Sequence, residues 1–231
     1  MKNNGEESPK LLGVLGGMGP AATIDFMDKL IRVTGAEKDQ DQIPAVVYNN
    51  TVIPDRNEAF LRGGTSPLPE LLKSAKVLEG AGCDIMAIPC NTAHIWFDEI
   101  DKNTTVEVLN APLITSEKLP ENSRAGIICT TPVKLSGLYS DVLRKKDIEL
   151  IYPENQDAVM EAIYKVKSGK VDEAEQLFME QVDSLRDMGS GKIIAGCSEV
   201  PVAIGKSDAM KFILDPMELL AMECAVRFNK I

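Results

Sequence analysis

Two stretches of this chain can be laid on one another without a gap. Residues 78–92 read LEGAGCDIMAIPCNT and residues 185–199 read LRDMGSGKIIAGCSE, an offset of 107 that pairs Leu78 with Leu185, Gly82 with Gly189 and Cys90 with Cys197. Each copy reads as the end of a helix, a glycine C-cap, a short buried strand and a turn carrying a thiol. Small polar groups follow both cysteines (Asn91 and Thr92; Ser198 and Glu199), as at the opening of a helix. A second echo pairs GVLGGMGPAATIDF from Gly13 with GIICTTPVKLSGLY from Gly126 at an offset of 113, which sets Met18 against Thr131. Two echoes in the same order with nearly equal offsets imply internal duplication. The expected fold is α/β: two pseudo-symmetric halves, each of βα repeats around a parallel sheet, over residues 1–115 and 116–231. The closing helix, 217–231, is expected to pack back onto the first half. Open α/β sheets bind ligands outside the carboxyl ends of their strands, so the two thiols are expected to face one another across a cleft between the halves.

Taken in order, residues 1–9 read as a frayed tail. Leu11–Leu15 is an apolar strand, and GGMGP leads into a helix in which Ile24, Met27, Leu30 and Ile31 fall at helical spacing, with Pro20 in its first turn. The glycine loop lacks the Lys-Ser/Thr of a P-loop and has no clean G-x-G-x-x-G, so it points only faintly to a nucleotide. Ala45–Tyr48 is a second strand, ending in Asn49, Asn50 and Thr51; Arg56 follows in a loop opened by Pro54-Asp55. A helix over Pro69–Leu78 leads to the first cysteine strand, Asp84–Pro89. Val108–Ile114 reads as a short strand, and so do Arg124–Cys129 and residues 148–152, the last followed by a helix over 156–167. FILDPMELLAMECAVRF is strand to Leu214, turn at Asp215-Pro216, then helix; its counterpart in the first half is VLNAPLITSEKL.

The formal net charge of −10 argues against nucleic acid and anionic membrane surfaces as partners. An anionic substrate would need local cations. No run of 18 apolar residues is present, so no transmembrane helix is expected. The polar MKNNGEESPK does not resemble a secretory signal. Five widely spaced cysteines with no C-x-x-C fit reduced thiols in a cytoplasmic protein better than a disulfide framework.

Free cysteine usually acts as a small buried hydrophobe, a reading that suits Cys83, Cys129 and Cys224. Cys90 and Cys197 recur in register where a buried strand stops and a polar segment starts, which suits a functional pair. A metal site using Cys90, His94 and Cys197 is the competing reading, but the chain has a single histidine and no close ligand pairs. His94 instead reads as a first-turn residue bonding locally. Two opposed thiols can invert a carbon centre: one thiolate takes a proton while the other thiol delivers one to the opposite face. Helix N-termini behind the sulfurs are expected to lower the thiol pKa values, and donors at Asn91, Thr92 and Ser198 would meet the charge that develops on the α-carboxylate. This chemistry calls for no cofactor and no metal.

The segments GVLGGMGPAAT, NNTVIPDR, PCNTAH, GCSEVP and LDPM, in this order and spacing, resemble the aspartate/glutamate racemases, a cofactor-independent two-cysteine family, and its aspartate branch most closely. The resemblance runs from about Leu11 to Phe228. It implies that Cys90 and Cys197 are the acid and base, that Arg56 and Lys167 (in YKVKSG) hold the substrate carboxylates, and that the protein is a homodimer. With these, the candidate substrate contacts are Met18, Asn50, Arg56, Asn91, Thr92, Thr131, Lys167 and Ser198. GGMGP and Ser-Glu after the second cysteine, where glutamate racemases carry an Asp-Ser-Gly type motif and Thr-His, favour aspartate. The alternatives are a glutamate or broad-specificity racemase and, more remotely, a non-catalytic small-acid-binding protein on the same scaffold.

Overall fold

The first parallel sheet grows from the apolar run after Lys10. Its strands are β1 (Leu12–Gly16), β2 (Ala45–Asn49), β3 (Ile85–Ala87) and β4 (Glu107–Val108), in spatial order β2-β1-β3-β4. The second sheet repeats that order as β6-β5-β7-β8, from β5 (Arg124–Cys129), β6 (Glu149–Ile151), β7 (Lys192–Gly196) and β8 (Ile213–Leu214). Register repeats as well as order. Leu12 lies opposite Ile85 in the first sheet and Ala125 opposite Lys192 in the second, so both sequence offsets, 113 and 107, recur as strand pairing. The computed structural model describes residues 10–231, and the expected frayed tail at 1–9 lies outside the described residues.

Parallel strands need helical crossovers, and these bury both faces of each sheet. In the first half the helices are α1 (Pro20–Thr34), α2 (Arg56–Arg62), α3 (Leu68–Gly80), α4 (Phe97–Lys102) and α5 (Ala111–Glu117). In the second they are α6 (Thr131–Ser136), α7 (Ser140–Arg144), α8 (Gln156–Lys167), α9 (Val171–Asp187), α10 (Glu199–Ile204) and α11 (Pro216–Arg227). Leu71 and Leu78 of α3 pack with Leu15, Met86 and Ile88 on one face of the first sheet. Val159 and Ile163 of α8 pack with Phe178 and Val182 of α9 over Ile128 and Ile193 of the second. Helix α11 packs with the first half: Met217, Leu220 and Cys224 join Phe26 and Leu30 of α1 and Ile114 of α5 in one buried cluster.

Three local expectations change, the first being the loop read across Arg56, which winds into helix α2 because Asp55 caps its first turn. The segment read as a strand over Val108–Ile114 is the two-residue β4 followed by helix α5. Asn110 caps that helix, its side chain accepting from Leu113 N at 3.0 Å, and Pro112 sits in the first turn, where no N–H is missed. Asp215 caps α11 in the same way, accepting from Met217 N at 2.9 Å. On α1 the buried face is Ala22, Phe26, Lys29 and Leu30, while Ile24 and Ile31 are exposed. Lys29 turns inward because it meets Asp215 at 2.7 Å and also pairs with Asp25. Those partners raise the lysine pKa although burial acts to lower it.

Among the described residues no helix is long and apolar enough to cross a membrane.

Candidate active site

Both cysteine strands open the same way. Gly82 and Gly189 adopt left-handed φ of 83° and 88°, and the next residue's N–H reaches back over the helix end: Cys83 N to Leu78 O at 3.2 Å and Ser190 N to Leu185 O at 3.1 Å. This Schellman closure turns α3 into β3 and α9 into β7. The thiols are then delivered differently. Cys197 follows directly on Gly196, which the sheet pairs with Cys129. Strand β3 stops at Ala87, so Cys90 lies three residues beyond its last paired position.

Cys90 and Cys197, each 5% exposed, line one narrow cleft between the halves. Met18, Arg56, Asn91, Thr92, Lys167 and Ser198 line it too. Of the expected contact residues, Asn50 and Thr131 do not. Asn50 is buried behind the site, donating to Ser74 Oγ at 2.9 Å and accepting from Val52 N at 3.2 Å. Thr131 faces α8, its N–H on Met160 Sδ at 3.4 Å and its hydroxyl oxygen accepting from Gln156. Thr130 lines the cleft in its place. The slip has a geometric cause. Strand pairing equates Gly16 with Cys129, but the first half places Gly17 and Met18 before the N-cap Gly19, whereas the second goes straight to the N-cap Thr130. A gapless alignment cannot register that difference.

The glycine loop is packed rather than open. Gly17 has φ of +95° and a Cβ there would stand 2.3 Å from Asn50 O, while its N–H is taken by Thr23 Oγ1 at 2.9 Å. A phosphate cradle needs free N–H groups, and the Gly17 N–H is not one.

Arg56 is the first residue of α2, held by the N-cap Asp55, whose Oδ1 accepts from Asn57 N and Glu58 N at 2.8 and 2.9 Å. Its Nη1 donates to Pro54 O at 3.1 Å and Ile53 O at 3.4 Å, and its buried Nε has no partner among the described residues. A guanidinium keyed at one end, with an unpartnered buried N–H on a residue that lines the cleft, is a donor set suited to an anion. Lys167 closes α8. Desolvation acts to lower its ammonium, but Glu199 and Cys197 outweigh that and raise it, although the residue as a whole is exposed.

The environment of Cys197 departs from expectation. Its S–H donates to Glu199 Oε2 at 2.8 Å, and Ser198 Oγ donates to the same oxygen at 3.2 Å. Burial first, and the Glu199 carboxylate second, push the thiol well above the usual range; the α10 N–H at Glu199 acts the other way and is outweighed. The helix-terminus argument for a low thiol pKa therefore fails at Cys197, which rests protonated. Glu199 was absent from the candidate set, although its place two residues past the cysteine, aligned with Thr92, was the available signal.

His94 sits 2% exposed behind Cys90. Its Nδ1–H donates to Cys90 O at 2.9 Å and its Nε2 accepts from Ala111 N at 3.3 Å. Burial pushes its pKa down, so the ring is neutral with both nitrogens occupied. Among the described residues no three His, Cys, Asp or Glu side chains converge as a metal site needs.

The model of one protein family, Asp/Glu/Hydantoin racemase, matches residues 15–224 of the chain. The broad specificity amino-acid racemase RacX of Bacillus subtilis is 26% identical over 221 residues, covering 91% of this chain and 95% of the relative. Among solved structures, Picrophilus torridus aspartate racemase superposes with a TM-score of 0.86 at 32% identity, covering 95% of this chain and 94% of that one. Glutamate racemase from Francisella tularensis, solved in complex with D-glutamate, shares the fold at a TM-score of 0.67 and 18% identity, covering 96% of this chain and 83% of that one. With two duplicated parallel sheets, a cleft between them and this likeness along nearly its whole length, the chain belongs to the Asp/Glu/Hydantoin racemase family and is an isomerase acting on amino acids.

Proposed function

We propose that the protein interconverts L- and D-aspartate without a cofactor, by proton transfer between the α-carbon and two thiols. The observation that carries this reading is a single cleft lined by Cys90 and Cys197 from equivalent strand ends, together with the cations Arg56 and Lys167. Asp55 and Glu199 line the cleft beside Arg56 and Lys167, so its four charges balance in a chain of net charge −10; what suits a dicarboxylate is the Arg56 guanidinium with its unpartnered Nε, and Lys167 beside it.

In the half-cycle that starts from protonated Cys197, whose S–H points to Glu199, Cys197 is the acid and Cys90 the base, and in the reverse half-cycle the roles exchange. Cys90 takes the α-proton, the Cys197 S–H bond breaks as its proton reaches the opposite face, and the carbon inverts. The cycle ends with Cys90 as thiol and Cys197 as thiolate. The opposite enantiomer restores the starting form; repeated turnover of one enantiomer needs proton exchange with solvent, for which Glu199 is placed as the acceptor and donor beside Cys197. Arg56 holds a carboxylate by its free N–H groups, and backbone N–H groups at the start of α10 meet charge developing on the α-carboxylate.

The likeness to a broad-specificity relative favours one second reading, a wider amino-acid range on the same chemistry. A chiral assay of L-aspartate, L-glutamate and a panel of neutral amino acids, with no cofactor added, separates the two. Inversion of aspartate well above the others is expected, and equal rates on neutral amino acids would refute the dicarboxylate assignment. A homodimer, implied by the family resemblance, is part of the proposal and is read directly by light scattering.

A further inference from the structure

We propose that Tyr139, with Asn91, is a positioning device that sets the separation of the two thiols. This rests on the two-thiol reading of the cleft.

Cys90 needs such a device more than Cys197 does. Cys197 is fixed by the ladder that ends one residue before it, whereas Cys90 lies three residues past the end of β3. Beyond it comes only a short 3-10 turn, Thr92–Trp96. Asn91 was expected to offer its amide to substrate. Both ends of that amide are already bonded to the other half: Oδ1 accepts from the Tyr139 hydroxyl, and Nδ2 donates to Ala195 O at 3.4 Å. Tyr139 lies between α6 and α7, and Ala195 lies in β7 two residues before Cys197. One side chain beside the first thiol is thereby tied to the strand that delivers the second. The next residue adds a parallel bridge, Thr92 Oγ1 to Thr130 Oγ1 at 3.1 Å. Asn91 and Tyr139 are each 1% exposed. Burial also pushes the phenol pKa well up, so the hydroxyl remains a donor at any working pH. Hydrogen bonds out of water hold geometry firmly, and leaving one partner unpaired is costly.

The two thiols need this gauge for one task only. Inversion requires both sulfurs at contact distance from one carbon, on opposite faces. Exchange of the α-hydrogen with retention requires one: a thiolate takes the proton, its S–H exchanges with solvent, and the S–D returns a deuteron to the same face. A shift of about 1 Å in a reacting group costs on the order of 10²-fold. Loosening the clamp therefore penalises inversion and spares one-sided exchange.

The test is Tyr139→Phe, with initial rates on L- and D-aspartate in deuterium oxide. Chiral separation and mass spectrometry then count deuterium in inverted and retained molecules. Inversion is expected to fall roughly 10- to 100-fold, while deuterium in retained aspartate stays within about threefold of wild type, so that the ratio of the two reverses. A merely structural role would lower both in proportion. Parallel loss, or an unchanged ratio in a folded variant, overturns the proposal. If Tyr139→Phe does not fold, Asn91→Ser, too short to span Tyr139 and Ala195, carries the same expectation and the same refutation. Wild-type protein that neither inverts nor exchanges aspartate would sink the aspartate reading on which this proposal rests, and the clamp with it.

Discussion

Arg56→Lys keeps the positive charge and removes the fork, which makes it the sharpest probe of substrate binding. In the wild type, Nη1 is spent on Pro54 O and Ile53 O, and the buried Nε of this cleft-lining residue has no partner among the described residues. A carboxylate can accept from Nε and the remaining guanidinium nitrogen together, as a bidentate pair. Lysine offers one compact ammonium on a flexible stem and cannot reproduce that geometry. The loss is one charge-assisted hydrogen bond, about 1.5–3 kcal/mol, or roughly 10- to 150-fold in binding. Because the contact is made in ground and transition states alike, KM for aspartate should rise by that factor with kcat within about tenfold of wild type. Steady-state kinetics by chiral chromatography measure both, and a melting curve controls for damage to the start of α2. A KM within about twofold of wild type in a folded variant would refute the argument, since nothing at the cleft would then depend on the fork.

Three further outcomes follow from buried charge and buried thiols. Lys29→Met strands the Asp215 carboxylate, 4% exposed, without its partner; a cost of about 3–5 kcal/mol is expected, and Asp215→Asn in the same chain should recover most of it because an amide oxygen can still cap α11. Thermal unfolding that shows no loss in the single variant would contradict the ion-pair account. Glu199→Gln removes the charge that helps hold the Cys197 proton, so Cys197 should alkylate faster near neutrality, read by mass spectrometry, while racemisation slows for want of a proton acceptor; both rates unchanged would remove Glu199 from the mechanism. Burial pushes Cys129 and Cys224 up to about 12 from an ordinary 9.0. The folded chain thus keeps protons that the unfolded chain releases, and stability that is complete below pH 9 is lost towards pH 12, by roughly 4 kcal/mol per thiol. Cys224→Ala should flatten that decline in denaturant titrations, and an equally steep one would argue against it.

Much of the fold was legible because duplication wrote it twice. The range Arg124–Cys129 and the helix over 156–167 appear with the bounds read from sequence, and the two offsets reappear as strand register. Asn110-Ala-Pro reads as strand from its apolar surroundings, although its counterpart, Asp215-Pro216, reads as a turn into a helix, and both Asn110 and Asp215 are N-caps. The misassigned face of α1 has a different origin. Burying Lys29 makes sense only with Asp215 beside it, and that residue lies 186 positions away in the chain. Cleft residues legible in sequence were those delivered by strand ends and helix starts: Cys90, Cys197, Arg56, Lys167. Thr130 is not, because its place depends on loop length after β1 and β5, and neither is Tyr139 behind the cleft, whose role depends on which buried polar atoms find each other; Glu199 is signalled only by its alignment with Thr92.

The central claim is that two thiols serve opposite faces of one carbon, and isotope exchange by single-thiol variants tests it most directly. Cys90→Ala and Cys197→Ala should each abolish net inversion of aspartate, because every turnover needs an acid and a base. Each should still exchange the α-hydrogen, weakly and with retention, in deuterium oxide, and the two variants should act on opposite enantiomers. Mirror selectivity of that kind is the predicted result. Racemisation near the wild-type rate by either variant, or exchange of the same enantiomer by both, would contradict the account.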